Sequence, residues 1–214
     1  MAFREYCDWI YEKCKSGKGC VIITYTGNDK DVIVPNNIDG HPVMEIGCGI
    51  SPIFYSDNQD KVERIILQNS VETIADCAFF MCVALKEIVL PTSIKTIGRQ
   101  AFSGCTSLTS IEIPLGVEEI DQNTFFGCIA LYTVIMPSTI KTIADRAFLM
   151  CENLESVVIP KSIESIGVYS FKGTKLKNIN LPSTVTYVSQ EAFNDDVNIF
   201  KSRSKNGGDW YENP

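Results

Sequence analysis

Four cysteines stand at Cys82, Cys105, Cys128 and Cys151, one every 23 residues. Thiolates held close together bind soft metals or exchange disulfides, so this ladder is the first place to look for chemistry. A four-cysteine zinc site wants its ligands in close pairs such as C-x-x-C. No such pair occurs among the nine cysteines of the chain, and the odd number argues against a secreted disulfide framework. The ladder is therefore expected to be structural: a small apolar side chain filling one buried slot in successive units, with its thiols reduced. Cys77 stands off this register, level with Gln100, Asn123 and Arg146, and is expected to be exposed and the first thiol to react. The one histidine, His41, lies in the turn-forming stretch Asp39-Gly40-His41-Pro42 and has to serve any nucleophile–base pair that exists. Adjacent carboxylates occur at Glu118-Glu119 and Asp195-Asp196, but acid–base work needs a cleft that separates their pKa values, and both pairs read as solvated. Gly47-Cys48-Gly49 lacks the third glycine and the following helix of a phosphate loop. No catalytic residue, metal ligand set or cofactor is expected.

Bulk composition narrows the partners. The net charge is −7, with 19 Lys and Arg scattered among 26 Asp and Glu. This argues against nucleic acid and against an anionic membrane surface. No apolar run of about 18 residues is present, so no membrane insertion is expected. Arg4, Glu5, Asp8 and Glu12 interrupt the apolar residues near the N-terminus, where a secretory leader needs an unbroken apolar stretch. As given, the chain reads as cytoplasmic, with the cell surface as the alternative if a leader was removed.

The elements that carry the cysteines are set by a repeat. Phenylalanines at Phe79, Phe102, Phe125, Phe148, Phe171 and Phe193 follow one another in steps of 23, 23, 23, 23 and 22 residues. Prolines keep phase at Pro91, Pro114, Pro137, Pro160 and Pro182. Interior aliphatics recur as Ile88, Ile111, Val134, Val157 and Ile179, and again as Ile74, Ile97, Ile120, Ile143, Ile166 and Val188. A 23-residue unit cannot bury such residues alone, so units must stack. Each proline suits the end of a short strand, where no ladder donor is missed.

The pattern L-x-x-I-x-(L/I)-P-x-x-(V/I)-x-x-I-x-x-x-(A/T/S)-F-x-x-C resembles the BspA-type leucine-rich repeat, from about Lys61 to Phe200. The stretch Asp31 to Gly47 is similar to that family's irregular first repeat. The resemblance implies a non-enzymatic binding scaffold or surface adhesin. The expected architecture is a repeat solenoid of short parallel β-strands. Residues 1–17 are read as an N-terminal capping helix, with Phe3, Tyr6, Cys7, Ile10 and Cys14 on one face. Residues 18–60 are read as irregular first repeats with a strand at Cys20 to Tyr25 and an insertion at 51–61. Repeats of about 23 residues fill 61–200, and 201–214 is a tail whose Trp210 and Tyr211 either fold over the open end or belong to a tether.

Such an array offers a sheet face. Between the buried positions of each strand lies the outward column Ile66, Val89, Glu112, Ile135, Val158 and Asn180, with Arg64 and Tyr132 at its margin. An aliphatic stripe with a polar rim fits an interface core, although Ile and Val are also favoured in strands by propensity alone, and the sequence leaves both readings open. The expected function is a non-catalytic scaffold for an unidentified partner protein. The alternative is a cell-surface adhesin or glycan-binding module, with Phe54 and Tyr55 of the insertion as its aromatics.

Overall fold

A computed structural model of the chain describes residues 4–14, 17–49, 51–54 and 58–202. Most repeats contribute one short strand to each of two faces. On the first face, Asp31–Ile33, Arg64–Ile66 and Glu87–Val89 pair in parallel, as do Ser110–Glu112 with Thr133–Ile135 and Asn178–Leu181 with Asn198–Lys201. On the second face, His41–Ile46, Thr73–Ile74 and Thr96–Ile97 form one parallel run. Glu119–Ile120, Thr142–Ile143, Ser165–Ile166 and Tyr187–Val188 form another. The strands are short because the interior aliphatic supplies the only buried side chain that each two- or three-residue segment needs.

A third ladder runs along the phenylalanine side, where the chain turns. The amides of Cys77, Phe79 and Met81 donate to Arg99, Ala101 and Ser103 of the next repeat. Phe102, Phe125, Phe148 and Phe171 continue the pattern. Alternate amides can reach the neighbouring turn because the chain is left-handed at flanking positions. Cys77, Gln100, Asn123, Arg146 and Tyr169 have φ between 54° and 57°. A left-handed non-glycine residue costs roughly 1–2 kcal/mol, offset here by an inter-repeat hydrogen bond at every unit.

The core is continuous from end to end. Phe79, Phe102, Phe125, Phe148, Phe171 and Phe193 stack with ring centroids 5.1–5.4 Å apart and planes within 13°. Trp9, Tyr25 and Phe54 extend this spine toward the N-terminus, at 4.6, 5.6 and 6.2 Å between successive rings. The hydroxyl of Tyr25 donates to Asp29 at 2.9 Å, and burial followed by that bond pushes the phenol up to about 12.

The N-terminal cap is not a helix. Arg4–Tyr6 and Trp9–Lys13 form an antiparallel hairpin whose second strand pairs with Cys20–Tyr25, which in turn runs parallel to His41–Ile46. The buried side chains are Trp9 and Tyr11, two apart, with Ile10 between them half-exposed. That period of two, in aromatic and β-branched residues, outweighs the looser helical spacing from Phe3 to Cys14. Phe3 and Lys15 lie outside the described residues, as does the tail from residue 203. The expected strand at Cys20–Tyr25 is present, and the last strand is Asn198–Lys201.

The first face has two breaks among the described residues: Glu87–Val89 and Ser110–Glu112 are neighbours that do not pair, and a second break follows Thr133–Ile135. Residues 155–158 occupy the place of a strand between Thr133–Ile135 and Asn178–Leu181, yet among the described residues no backbone hydrogen bond is made by the amides of 155–159. The unit beyond is one residue short. The spacer Cys151-Glu152-Asn153-Leu154 becomes Thr174-Lys175-Leu176, and the Lys175 amide bonds Leu154 at 3.0 Å. The deletion offsets the following strand on that side. The second face and the ring stack cross this second break intact, whereas at the first the second face is also unpaired, between Thr96–Ile97 and Glu119–Ile120.

Candidate functional site

Cys82, Cys105, Cys128 and Cys151 are buried and are free thiols. They also do more than fill space. The Cys105 thiol donates to the Phe79 carbonyl at 3.1 Å, Cys128 to Phe102 at 3.1 Å and Cys151 to Phe125 at 3.2 Å. Each of those carbonyls already accepts the backbone amide of its own repeat's cysteine. The thiol thus occupies the second lone pair from one repeat further on, and stitches neighbouring turns. Burial, with the neighbouring thiols second, holds Cys105, Cys128 and Cys151 well above the usual thiol range. A protonated, enclosed thiol is a poor nucleophile and a poor metal ligand. In the unit of Phe171, Thr174 takes the slot and donates to Phe171 at 2.8 Å.

Cys77 is not the most exposed thiol. It is half-buried at one of the left-handed turn positions, lies 3.8 Å from the Gln100 amide oxygen, and is raised above the normal thiol range by burial and then by Asp76. Cys7, in the tight turn of the N-terminal hairpin, is exposed. His41 opens the strand His41–Ile46 directly after the Asp39-Gly40 turn, where both residues have positive φ. Among the described residues no cluster of three or more His, Cys, Asp or Glu is placed to hold a metal ion. No helix of the described residues is long and apolar enough to cross a membrane.

The carboxylates of the second face are mostly committed. Lys95 pairs with Glu72 at 2.7 Å and Lys141 with Glu118 at 2.6 Å, both exposed. A shallow depression beside Lys141 is lined by Ser138, Thr139, Lys161, Ser162 and Glu164. Its hydroxyls point into the fold: Thr139 donates to Val117 at 2.8 Å and Ser162 to Ile140 at 2.5 Å. These groups hold repeat to repeat and do not form an enclosed site.

The first face differs. Its outward column is aliphatic and in register: Ile33, Ile66 and Val89 stand opposite one another across three strands, and Glu112 stands opposite Ile135. Exposure is 59% at Ile33, 40% at Val89, 53% at Ile135 and 83% at Val158, while Ile66 is half-buried. Tyr132 at the margin is 57% exposed. Arg64 is held by Glu87 at 3.1 Å. Sequence reasoning stopped the column at Ile66 and Asn180. The structure adds Ile33 at one end and Phe200 at the other, since the strands carrying them pair in the same register. The in-register Val residues of "DVIV" could have revealed Ile33, because Val32 and Val34 flank it as the buried pair. Phe54 does not join any surface. It is fully buried as the third ring of the aromatic spine, so the insertion offers no exposed phenylalanine there; Tyr55 lies outside the described residues.

Comparison with known proteins now bears on this geometry. The family model for the BspA-type leucine-rich repeat region matches six copies, over residues 51–152 and 72–200. A search of curated proteins gives no match. Among solved structures, the chain is similar to a leucine-rich repeat protein of T. pallidum at 27% identity and a TM-score of 0.72, covering 92% of this chain and 85% of that one. It shares its fold with a leucine-rich cell-surface protein of Faecalibacterium prausnitzii at 18% identity and a TM-score of 0.56, over 94% and 76% of the two chains. A leucine-rich repeat protein of Bacteroides ovatus gives 23% and 0.53, over 93% and 67%.

Proposed function

Because the chain belongs to the BspA-type leucine-rich repeat family, we propose that it is a non-catalytic scaffold that binds a partner protein through its first face. The observation that carries this reading is the exposed aliphatic column. Buried slots are already filled by the repeat's own interior residues, so Ile33, Val89, Ile135 and Val158 have no core of their own chain to join. Set one per repeat along the same face, they make an apolar stripe rimmed by paired charges, the make-up of an interface core. A glycan-binding surface would instead want clustered exposed aromatics, and Tyr132 and Tyr187 are exposed on different faces.

The test is the double substitution Val89→Glu with Ile135→Glu, read by partner capture and by a melting curve. Both side chains are exposed, so the melting temperature is expected to stay within the small range of surface changes, about 0.5 kcal/mol in stability. Capture of the partner is expected to be lost. Retained capture by the folded variant moves the binding surface elsewhere.

A further inference from the structure

Spacing and charge on the first face define the partner more closely, and this step rests on the face proposed above. The column from Ile66 through Val89, Glu112 and Ile135 to Val158 offers one outward side chain per repeat. Repeats follow one another at the 5.1–5.4 Å of the ring stack. An α-helix advances about 5.4 Å per turn and presents one side chain per turn along one face. An extended strand presents same-side residues every ~6.7 Å and slips out of phase within two repeats. A helix laid along the solenoid axis therefore keeps the step of the repeats, about 21 Å or roughly 14 helical residues over the five that carry the column; Ile66 with Val89 and Glu112 with Ile135 stand in paired register, and Val158 follows by repeat alone.

The charge supplies the second constraint. The carboxylates at the margin of the face are already held: Glu63 by Lys30 at 2.8 Å and Lys86 at 2.7 Å, Glu87 by Arg64 at 3.1 Å, Glu155 by Lys175 at 3.9 Å. Glu112, at the middle of the column, is exposed, and among the described residues no ion pair reaches it. Covering it with an apolar surface would strand a carboxylate away from water, which is costly. We propose that the first face receives an amphipathic helix of a partner protein, with apolar residues over Ile66, Val89, Ile135 and Val158 and a lysine or arginine one turn from either side set against Glu112. The net charge of −7 favours the approach of such a basic segment.

The probe is a phage-displayed library of peptides about 18 residues long, selected on the full chain and counter-screened on V89E/I135E, E112Q and E112K proteins whose melting curves match the parent. The expected clones carry apolar residues at i, i+4, i+11 and i+14 with Lys or Arg at i+7. They become helical on binding, lose binding to V89E/I135E, and weaken about tenfold on E112Q and further on E112K. Clones lost on V89E/I135E but patterned with a period of two, or indifferent to E112Q and E112K, overturn the helix and charge assignment and leave the face standing. A library with no binder overturns the assignment as well. Binders unaffected by V89E/I135E overturn both the assignment and the face.

Discussion

Ser170 is a fully buried hydroxyl with no hydrogen-bond partner among the described atoms. Its slot is occupied by Ala78, Ala101, Ala147 and Ala192 in other repeats, while Thr124 in the same column donates to Asp121 at 2.8 Å. Ser170→Ala is expected to raise stability by about 1 kcal/mol in a denaturant melt, because an unsatisfied buried polar group is removed and the slot already suits alanine. The thiol ladder gives a pH signature. Cys105, Cys128 and Cys151 have folded pKa values raised by burial well above their ordinary 9.0. Below that value both states keep the proton and the thiols are neutral to stability against pH. As pH rises past about 9 the unfolded chain ionises them and the folded chain does not, so their contribution is lost with rising pH. Stability should fall by up to about 1.4 kcal/mol per thiol per pH unit, and the triple substitution of these cysteines by alanine should flatten the alkaline limb of the melting-temperature profile.

The charged column of the second face alternates as Glu72, Lys95, Glu118, Lys141 and Glu164. In the fold it resolves into two close pairs, Lys95 with Glu72 and Lys141 with Glu118. Lys95→Glu places three carboxylates in succession, and the melting temperature should drop by the equivalent of about 0.5 kcal/mol, with part restored at high salt. No change would mean that these side chains do not sense one another. The same element-level view explains what could be read from the chain beforehand. The repeat was legible because a fixed step of 23 residues forces the same role on Phe79, Phe102 and Phe125, and no local propensity competes with that. The cap was not, because the segment around Trp9 and Tyr11 occurs once. There, helical spacing of Phe3, Tyr6, Cys7 and Ile10 coexisted with strand alternation, and pairing with Cys20–Tyr25 decided between them. Phe54 was misplaced for a related reason. Its distance of 25 residues from Phe79 hides it from a search at the period, although it stacks in the same spine. The outward column at Ile66, Val89, Ile135 and Val158 followed from strand alternation, but exposure there depends on what else folds across the sheet, which alternation does not encode.

Across the whole molecule, stability is a chain of nearest-neighbour contacts. Two links are weaker than the rest among the described residues: neither face pairs its strands between the repeat of Glu87–Val89 and Thr96–Ile97 and the repeat of Ser110–Glu112 and Glu119–Ile120, and on the first face the amides of residues 155–159 make no backbone hydrogen bond although the second face stays paired there; the ring stack crosses both. Hydrogen exchange should therefore find the amides of 155–158 fast under native conditions, with those of Phe148 and Phe171 protected. Equal protection at both places would show that the first face is closed in solution. The uniform stack from Phe79 to Phe171 has a hereditary side too. A tandem duplication or loss of one whole unit within that stretch joins a turn to another of its kind, with the ring spacing and the thiol-to-carbonyl bond remade at the junction. Recombination can thus change the reach of the array in quanta of one turn, each adding or removing a single outward side chain. The unit after Phe171, one residue short and with Thr174 in place of the thiol, is excluded from that exchange.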